Sequence, residues 1–269
     1  MATELLTDKM ACLRRVVAGM DSVIVAFSGG IDSALVLKVA HEELGGRALG
    51  ITAVSPTFPQ SELEDAKRIA QEIGARHEIV RTDQLRIPEF VKNDAGRCFH
   101  CKTDLYQLLD GLRGPRHSRW VVDGTQVDDL GDDRPGIAAA RQWNVRSPLV
   151  EAELNKSDVR SLARSLGLGV WDKPAAACLS SRIPRGTPIT FENLRRVEQA
   201  EAVLHELGFR HVRVRDHADI ARIEVSPEEF ERLNLAETRA QLNARLTSIG
   251  FRYVCADLGG YRPGGFSLG

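Results

Sequence analysis

The 269-residue sequence lacks the features that assign a chain to a membrane, to the secretory route or to nucleic acid. No apolar run approaches the roughly 18 residues that span a bilayer. The opening stretch MATELLTDKMACLRR also has no apolar core of a secretion signal. Its 36 lysines and arginines against 37 acids give a formal net charge of −1, which indicates no extended basic surface. We therefore expect a soluble, cytoplasmic protein without membrane or nucleic-acid partners.

The sequence also lacks the cysteine pattern of a disulfide framework. Its five cysteines are an odd number at irregular spacing, and only Cys98 and Cys101 form a Cys-x-x-Cys pair. In a reducing compartment such a pair is typical of metal or redox chemistry, whereas an isolated cysteine is usually a small buried residue. We expect Cys12 and Cys255 to be packing residues and retain Cys98, Cys101 and Cys178 as candidates for chemistry.

Two patterns of secondary structure follow one another along the chain. From Val23, apolar runs of four to seven residues alternate with helical patterns of 10 to 15 residues, which is typical of βαβ units and a parallel sheet. From Thr190 the order becomes helix, two consecutive strands, helix and strand, which indicates a small α+β domain. The sequence predicts an α/β domain over residues 1–185 and a smaller α+β domain over residues 186–269.

A glycine-containing loop stands between the first predicted strand and the first predicted helix. In FSGGIDSALVL this loop contains Ser28, Gly29, Gly30, Asp32 and Ser33. Glycines let the backbone approach a ligand closely, and a helix start offers N–H groups and a positive dipole end, which favour phosphate. The lysine of a GxxxxGK[ST] loop is missing, which excludes a Walker site. For the short motif alone, an ordinary strand-to-helix turn stays open.

The Ser-Gly-Gly-x-Asp-Ser stretch resembles the pyrophosphate loop of the ATP pyrophosphatase, or PP-loop, superfamily, which includes GMP synthetases, NAD synthetases and tRNA thiolation enzymes. The resemblance implies that ATP is split between its α and β phosphates and that a substrate oxygen is adenylated. It also implies that Ala53 and Val54, at the end of the second strand, lie near the adenine.

A second loop, DGTQVDDLGDDRPG, resembles the Gly-Thr loop of the same superfamily. The resemblance places Thr125 among the nucleotide-binding residues and implies that acids of this loop help to hold Mg²⁺. A solvated acidic turn is the alternative. The candidate Mg²⁺ ligands are Asp128, Asp129, Asp132 and Asp133.

Six stretches narrow the resemblance to the LarE family, the sulfur-inserting enzymes of nickel-pincer nucleotide biosynthesis, over residues 5–262. The resemblance implies that ATP adenylates a carboxylate of pyridinium-3,5-biscarboxylic acid mononucleotide and that sulfur then replaces oxygen to give a thiocarboxylate. It also implies a homo-oligomer, with the small C-terminal domain as a candidate interface. The six stretches are FSGGIDSALV, RCFHCK, DGTQVDDLGDDRPG, RSPLVEAELNKSDVR, WDKPAAACLSSRIPRGTPIT and LGFRHVRVR.

The resemblance leaves two sulfur sources open. In one branch of the family a loop cysteine gives up its sulfur and becomes dehydroalanine; Cys178 is the only cysteine in that loop, although a register shifted by one puts Ala177 there. In another branch three cysteines hold a [4Fe-4S] cluster with one iron open to sulfide, which Cys98, Cys101 and Cys178 would match. We favour the cluster, because a lone donor leaves the Cys-x-x-Cys pair unexplained. A Cys₃His zinc site with His100 and inert thiols are further alternatives.

Several polar residues follow the Cys178 loop. Ser181 and Arg182 suit an anionic nucleotide or a departing pyrophosphate. Arg213 and Arg215 alternate with valines, so on a strand both point to one face, and the resemblance assigns them to a substrate phosphate. Loop contacts and a solvated sheet surface are the alternatives. Weaker candidates are Trp171, Glu198, Glu201 and Arg262.

Two other functions stay open. A tRNA thiolation enzyme would need a basic surface, and residues 182–222 carry only eight arginines against six acids. An ATP-binding sensor without turnover would explain the loop but not the three thiols. The sequence favours the sulfur-inserting enzyme, with ATP, Mg²⁺ and a [4Fe-4S] cluster as cofactors. Its expected partners are an anionic pyridinium mononucleotide and sulfide or another sulfur donor.

Overall fold

The structure is a computed structural model that describes residues 2–131, 135–173 and 177–262. The chain divides into two compact units, Met1–Gln84 with Gly96–Ala176, and Leu85–Ala95 with Ala177–Gly269. In this division residues 177–185, which the sequence assigns to the first domain, fall in the second unit. The boundary near residue 185 stays a prediction. No helix within the described ranges combines the length and apolar character of a bilayer span.

Strands and helical segments alternate as far as the fourth strand, as the sequence predicts, and a run of helices separates the fourth strand from the fifth. The strands are β1 (Val23–Ala26), β2 (Ala48–Val54), β3 (Arg76–Arg81), β4 (Trp120–Val122), β5 (Val212–His217), β6 (Ile220–Val225) and β7 (Tyr253–Ala256). The helices are α1 (Ala2–Ala18), α2 (Ile31–Leu44), α3 (Gln60–Ile73), α4 (Pro88–Val91), α5 (Arg97–Arg113), α6 (Pro135–Gln142), α7 (Pro148–Glu151), α8 (Lys156–Ser165), α9 (Phe191–Glu206), α10 (Phe230–Leu233) and α11 (Ala236–Ile249). A 3₁₀ turn spans Leu179–Arg182.

The first unit contains a parallel sheet in the order β3-β2-β1-β4. Successive residues of the central strand β1 face opposite sides. Val23 and Val25 join one buried cluster with α1 and α2, whereas Ile24 joins another with Leu109 of α5. This apolar strand, covered on both faces, confirms the predicted α/β fold. Because the strands are parallel, the loops that follow β1, β2 and β4 lie at one edge of the sheet.

The second unit contains a separate sheet in the order β5-β6-β7, in which β5 and β6 are antiparallel and β6 and β7 are parallel. Val212 and Val214 pack into an apolar core with Leu204 of α9 and Leu246 of α11. The alternating residues of β5 point to the other face, which is the reason that its arginines share one side. The smaller C-terminal α+β fold is confirmed.

The two isolated cysteines differ in their surroundings. Cys12 lies on α1, partly buried against the core of the first unit, as expected. Cys255 is exposed, so the expectation of packing is wrong there. The reason is that β7 is an edge strand with weak burial along its length.

Candidate active site

Two serines shape the loop between β1 and α2. Ser33 Oγ donates a hydrogen bond to the Gly30 carbonyl (3.1 Å), and the Ser28 N–H donates to Ser33 Oγ (3.2 Å). The Gly30 N–H donates in turn to Ser28 Oγ (3.3 Å). Gly30 is the N-cap of α2 and has no side chain to cap the first N–H groups of the helix. The loop therefore presents a helix start suited to a phosphate.

Two glycines allow backbone segments to meet at this loop. Gly29 has a φ of +74°, and a Cβ there would lie 2.9 Å from the Cα of Ala66 in α3. Gly124 follows β4, and a Cβ there would lie 2.7 Å from the Ser33 nitrogen. A side chain at either position would displace one of the packed segments. The Gly124–Thr125 segment thus packs directly on the start of α2.

A buried carboxylate organises the loop after β4. Asp123 accepts hydrogen bonds from the Thr125 N–H (3.1 Å) and hydroxyl (2.8 Å), and from the Ser147 hydroxyl (2.8 Å). The Tyr106 hydroxyl donates a fourth bond (2.7 Å). The Thr125 hydroxyl is thus held by Asp123, and its predicted contact with a nucleotide stays a prediction.

The predicted adenine-binding residues end β2, the strand next to β1. Ala53 and Val54 pair with Val80 and Arg81 of β3 and are half-buried at the same edge of the sheet as the loop. This location is compatible with a flat apolar base, and the contact stays a prediction.

Asp32, on the first turn of α2, forms an ion pair with Lys156 at the start of α8 (Oδ2 to Nζ, 2.5 Å). Burial raises the pKa of Asp32, Lys156 opposes this effect, and the charge of Asp129 adds to it. The second oxygen, Oδ1, is buried and has no hydrogen-bond partner among the described residues. A carboxylate oxygen in this state fits a ligand position for Mg²⁺.

Two of the four predicted Mg²⁺ ligands are described, and both hold backbone groups. Asp128 Oδ2 accepts the N–H of Lys156 (2.9 Å), and Asp129 Oδ2 accepts an N–H of its own loop (3.2 Å). Asp132 and Asp133 lie outside the described residues. Across the described ranges, no group of three or more His, Cys, Asp or Glu side chains could hold a metal ion. Mg²⁺ binding by this loop stays a prediction.

The Cys-x-x-Cys pair lies at the start of α5, in the first unit. Cys98 and Cys101 are three residues apart and therefore lie on the same side of the helix. Cys98 is exposed and Cys101 is half-buried. Tyr106 lies on the same helix, and burial raises its pKa, as does the nearby charge of Asp123.

Cys178 belongs to the second unit and immediately precedes the 3₁₀ turn. It is exposed, and its Sγ lies 3.0 Å from Ser180 Oγ. Arg182 Nη1 donates hydrogen bonds to the carbonyls of Ala177 (2.7 Å) and Cys178 (3.1 Å) and to Ser181 Oγ (2.9 Å). The predicted site residues Cys178, Ser181 and Arg182 are thus held together around one guanidinium.

Two arginines of the predicted substrate site are neutralised by buried glutamates. Arg182 binds Glu201 through Nε and Nη2 (2.8 and 3.0 Å), and Arg215 binds Glu224 through the same atoms (2.8 and 2.9 Å). Arg215 also donates to the Ser181 carbonyl (2.8 Å). The two arginines are 3% and 4% exposed. Direct contact of these guanidiniums with a substrate stays a prediction.

Arg213 has different surroundings on the same face of the sheet. Its guanidinium lies over the ring of Tyr261 (5.1 Å), and Nη1 donates to the Val212 carbonyl (2.8 Å). Burial lowers the pKa of Arg213, and the nearby positive charge of Arg182 lowers it further. An anion beside such a guanidinium would stabilise its charged form.

The weaker candidates are dispersed. Trp171 lies in the first unit, where the Arg164 guanidinium covers its ring (4.9 Å). Glu201 and Glu198 lie on α9, and Glu201 is committed to Arg182. Arg262 is exposed at the end of the described chain.

Similar proteins identify the family. Residues 5–93, which include β1, the serine-glycine loop and β2, match the NAD synthase family. An uncharacterized protein of Synechocystis is 44% identical over 260 residues, 97% of each chain. A protein of Lactiplantibacillus plantarum named pyridinium-3,5-bisthiocarboxylic acid mononucleotide synthase is 40% identical over 96% of this chain and 94% of its own. The chain belongs to this synthase family, LarE.

Membership of the LarE family confirms the predicted enzyme class, an ATP-dependent sulfurtransferase of the PP-loop superfamily. A tRNA-specific 2-thiouridylase of Sphingopyxis alaskensis is 30% identical over 56% of this chain and 49% of its own. This partial similarity agrees with a shared PP-loop core.

Three residues that build this LarE-type site are absent from the sequence-based prediction. Two of them lie beside a motif that the sequence makes visible: Asp123 precedes the Gly-Thr pair, and Lys156 follows the helix cap Asn155. Glu224 lies beside no such motif. The antiparallel register places it opposite Arg213, where its carboxylate binds Arg215, and this register cannot be deduced from sequence.

Proposed function

We propose that this LarE-family enzyme adenylates a carboxylate of pyridinium-3,5-biscarboxylic acid mononucleotide and converts it to a thiocarboxylate. The observation that carries the proposal is the serine-held SGGIDS loop in a chain 40% identical to the named synthase over 96% of its length. A carboxylate is a poor electrophile. Its oxygen attacks the α phosphorus of ATP and pyrophosphate leaves; sulfur then bonds to the acyl carbon, and AMP leaves with the oxygen.

The first unit supplies the groups for adenylation. The backbone at Gly29 and Gly30 and the start of α2 would bind phosphates, and Lys156 provides a cation close to them. The buried Asp32 Oδ1 fits a Mg²⁺ ligand, and Mg²⁺ there would offset negative charge on the pyrophosphate.

We assign the anionic end of the substrate to the arginine face of the second unit. Arg213 is the principal candidate, since burial and like charge make its guanidinium a group that an anion would stabilise. Arg182 and Arg215 would shape the site through their glutamate pairs and through the Ser181 segment.

We propose that Cys98, Cys101 and Cys178 handle the sulfur. As ligands they would hold a [4Fe-4S] cluster, which supplies an open iron for a sulfide. The thiol chemistry fits, and Cys98 and Cys178 are exposed. The described residues contain no assembled three-ligand group. Sacrifice of Cys178, which would leave dehydroalanine, is the alternative.

The deciding experiment is iron and sulfide analysis of protein prepared without oxygen. A cluster predicts iron and sulfide that are lost in Cys98→Ala, Cys101→Ala and Cys178→Ala. Cys255→Ala is the matched control, because Cys255 is also exposed but lies outside the trio. Protein that stays colourless and iron-free after reconstitution would exclude the cluster.

Intact mass after turnover tests the sacrificial alternative. That mechanism requires one product per chain and loss of the elements of H₂S from Cys178.

Release of AMP only when the pyridinium dicarboxylate is present would exclude an ATP-binding sensor. A gel shift with tRNA at physiological salt tests the RNA-directed alternative. The homo-oligomer stays a prediction.

A further inference from the structure

Helix α5, which carries the thiol pair, forms a buried hydrogen bond with the loop after β4. Tyr106 is 1% exposed, and its ring packs in an apolar cluster with Ala139 and Ala140 of α6. Its hydroxyl donates to Asp123 Oδ2 at 2.7 Å. A buried hydroxyl without a partner is unfavourable, so this bond fixes how the helix meets the loop.

Gly124 and Thr125 link the hydrogen bond between Tyr106 and Asp123 to the nucleotide loop. Asp123 orders Thr125 through two hydrogen bonds, and Gly124 packs directly on the Ser33 nitrogen. Helix α5, the loop after β4 and the start of α2 all lie in the first unit, and the buried side chains of Tyr106 and Asp123 join the first two of them. Fully satisfied networks of this kind resist deformation.

We propose that Tyr106 and Asp123 are positioning residues that fix the Cys98–Cys101 helix against the nucleotide loop, so that nucleotide binding steadies the thiol pair. The inference rests on the proposed function, in which these thiols handle sulfur for a nucleotide-activated substrate. Neither residue needs to touch the reacting atoms.

The test compares Tyr106→Phe with Tyr253→Phe, whose tyrosine is exposed on β7. Alkylation of Cys98 and Cys101 by iodoacetamide is followed by peptide mass spectrometry, with and without Mg²⁺ and α,β-methylene-ATP. In wild type and Tyr253→Phe, the analogue should slow Cys101 alkylation about fivefold, the size that one hydrogen bond confers. Tyr106→Phe should lose this protection while the Kd for the analogue changes less than about twofold.

A second variant and a second measurement guard against a purely structural effect. Asp123→Asn keeps the side-chain volume but disturbs both Tyr106 and Thr125, so it should lose protection and weaken analogue binding. Tyr106→Phe should also release more AMP for each thiocarboxylate formed, a ratio that a general loss of stability would not change.

The remaining outcomes each decide against one claim. Protection retained in Tyr106→Phe, absence of protection in wild type, or equal loss of analogue binding and protection in Tyr106→Phe would overturn the inference. Wild-type protein that shows the protection pattern but forms no thiocarboxylate would refute the proposed function and leave the inference standing.

Discussion

The nucleotide loop of the first unit and the arginine face of the second unit provide positive charge in opposite ways. The loop uses glycines and helix N–H groups, and its two serines form hydrogen bonds with each other and with Gly30. The arginine face uses long side chains, two of which are locked by buried glutamates. The loop presents a helix start suited to a phosphate, whereas much of the charge on the arginine face is already neutralised by glutamates.

This difference distinguishes residues that bind a ligand from residues that stabilise the fold around the site. A buried arginine that forms a bidentate pair with a glutamate has little charge left for a ligand. Replacement of that arginine leaves the buried glutamate without a compensating charge. We therefore expect substitutions at Arg182 and Arg215 to affect stability first, and substitutions in the loop or at Arg213 to affect binding first.

Arg182→Ala should have the largest effect. It leaves the Glu201 carboxylate buried without its cation and removes the donor that holds the Ala177 and Cys178 carbonyls. We expect a loss of about 3–5 kcal/mol in the free energy of unfolding, measured by urea denaturation. Arg245→Ala is the control: its ion pair with Glu206 is exposed and should be worth less than about 1 kcal/mol. Equal losses would refute the division between support and binding.

Arg213→Ala should mainly weaken substrate binding. A charge-assisted bond to an anion would be lost, so the KM for the pyridinium mononucleotide should rise about tenfold or more, with the KM for ATP changed less than about twofold. Steady-state kinetics with each substrate varied in turn measure this. Arg210→Ala removes an exposed arginine of the same unit and should leave both values unchanged. A parallel rise of both KM values would argue for a general loss of structure.

The sequence predicts the first of the two regions much better than the second. The strand VIVA, the loop SGGIDS and helix α2 are consecutive, so local patterns determine their arrangement. On the arginine face, alternation predicts that Arg213 and Arg215 share a side, and the structure agrees. The partner Glu224 depends on strand register, and Glu201 lies on another element, so neither pairing could be predicted.

Long-range contacts limit the prediction elsewhere too. The ion pair of Asp32 with Lys156 joins residues 124 positions apart. The segment Leu85–Ala95 falls in the second unit because Asn93, fully buried with a φ of +57°, donates to the carbonyls of Pro184 and Thr187 (2.8 and 2.9 Å). An asparagine in a short polar stretch gives no signal of such a partner.

Gly29→Ala should damage the loop itself. An alanine at this positive φ is strained, and its Cβ would clash with Ala66. The expected result is about tenfold weaker ATP binding by calorimetry, which corresponds to about 1.4 kcal/mol. Gly45→Ala is the control, since Gly45 has a φ of +56° but open space around a Cβ. It should cost about 1–2 kcal/mol of stability without changing the Kd for ATP. Unchanged ATP binding in Gly29→Ala would contradict a backbone phosphate cradle at this loop.

Lys156→Met should have the smallest effect, a change in the pH dependence of stability. Burial raises the pKa of Asp32, and Lys156 limits this rise, so its removal raises the pKa further. A carboxyl with a higher pKa in the folded state binds more protons there than in the unfolded state, and stability then falls as pH rises through that window. The variant should gain stability relative to wild type as pH falls from about 7 towards 4, by about 1.4 kcal/mol per unit of additional pKa shift. Urea denaturation at several pH values measures this. In an Asp32→Asn background the difference should vanish, whereas its persistence would place the titrating group elsewhere.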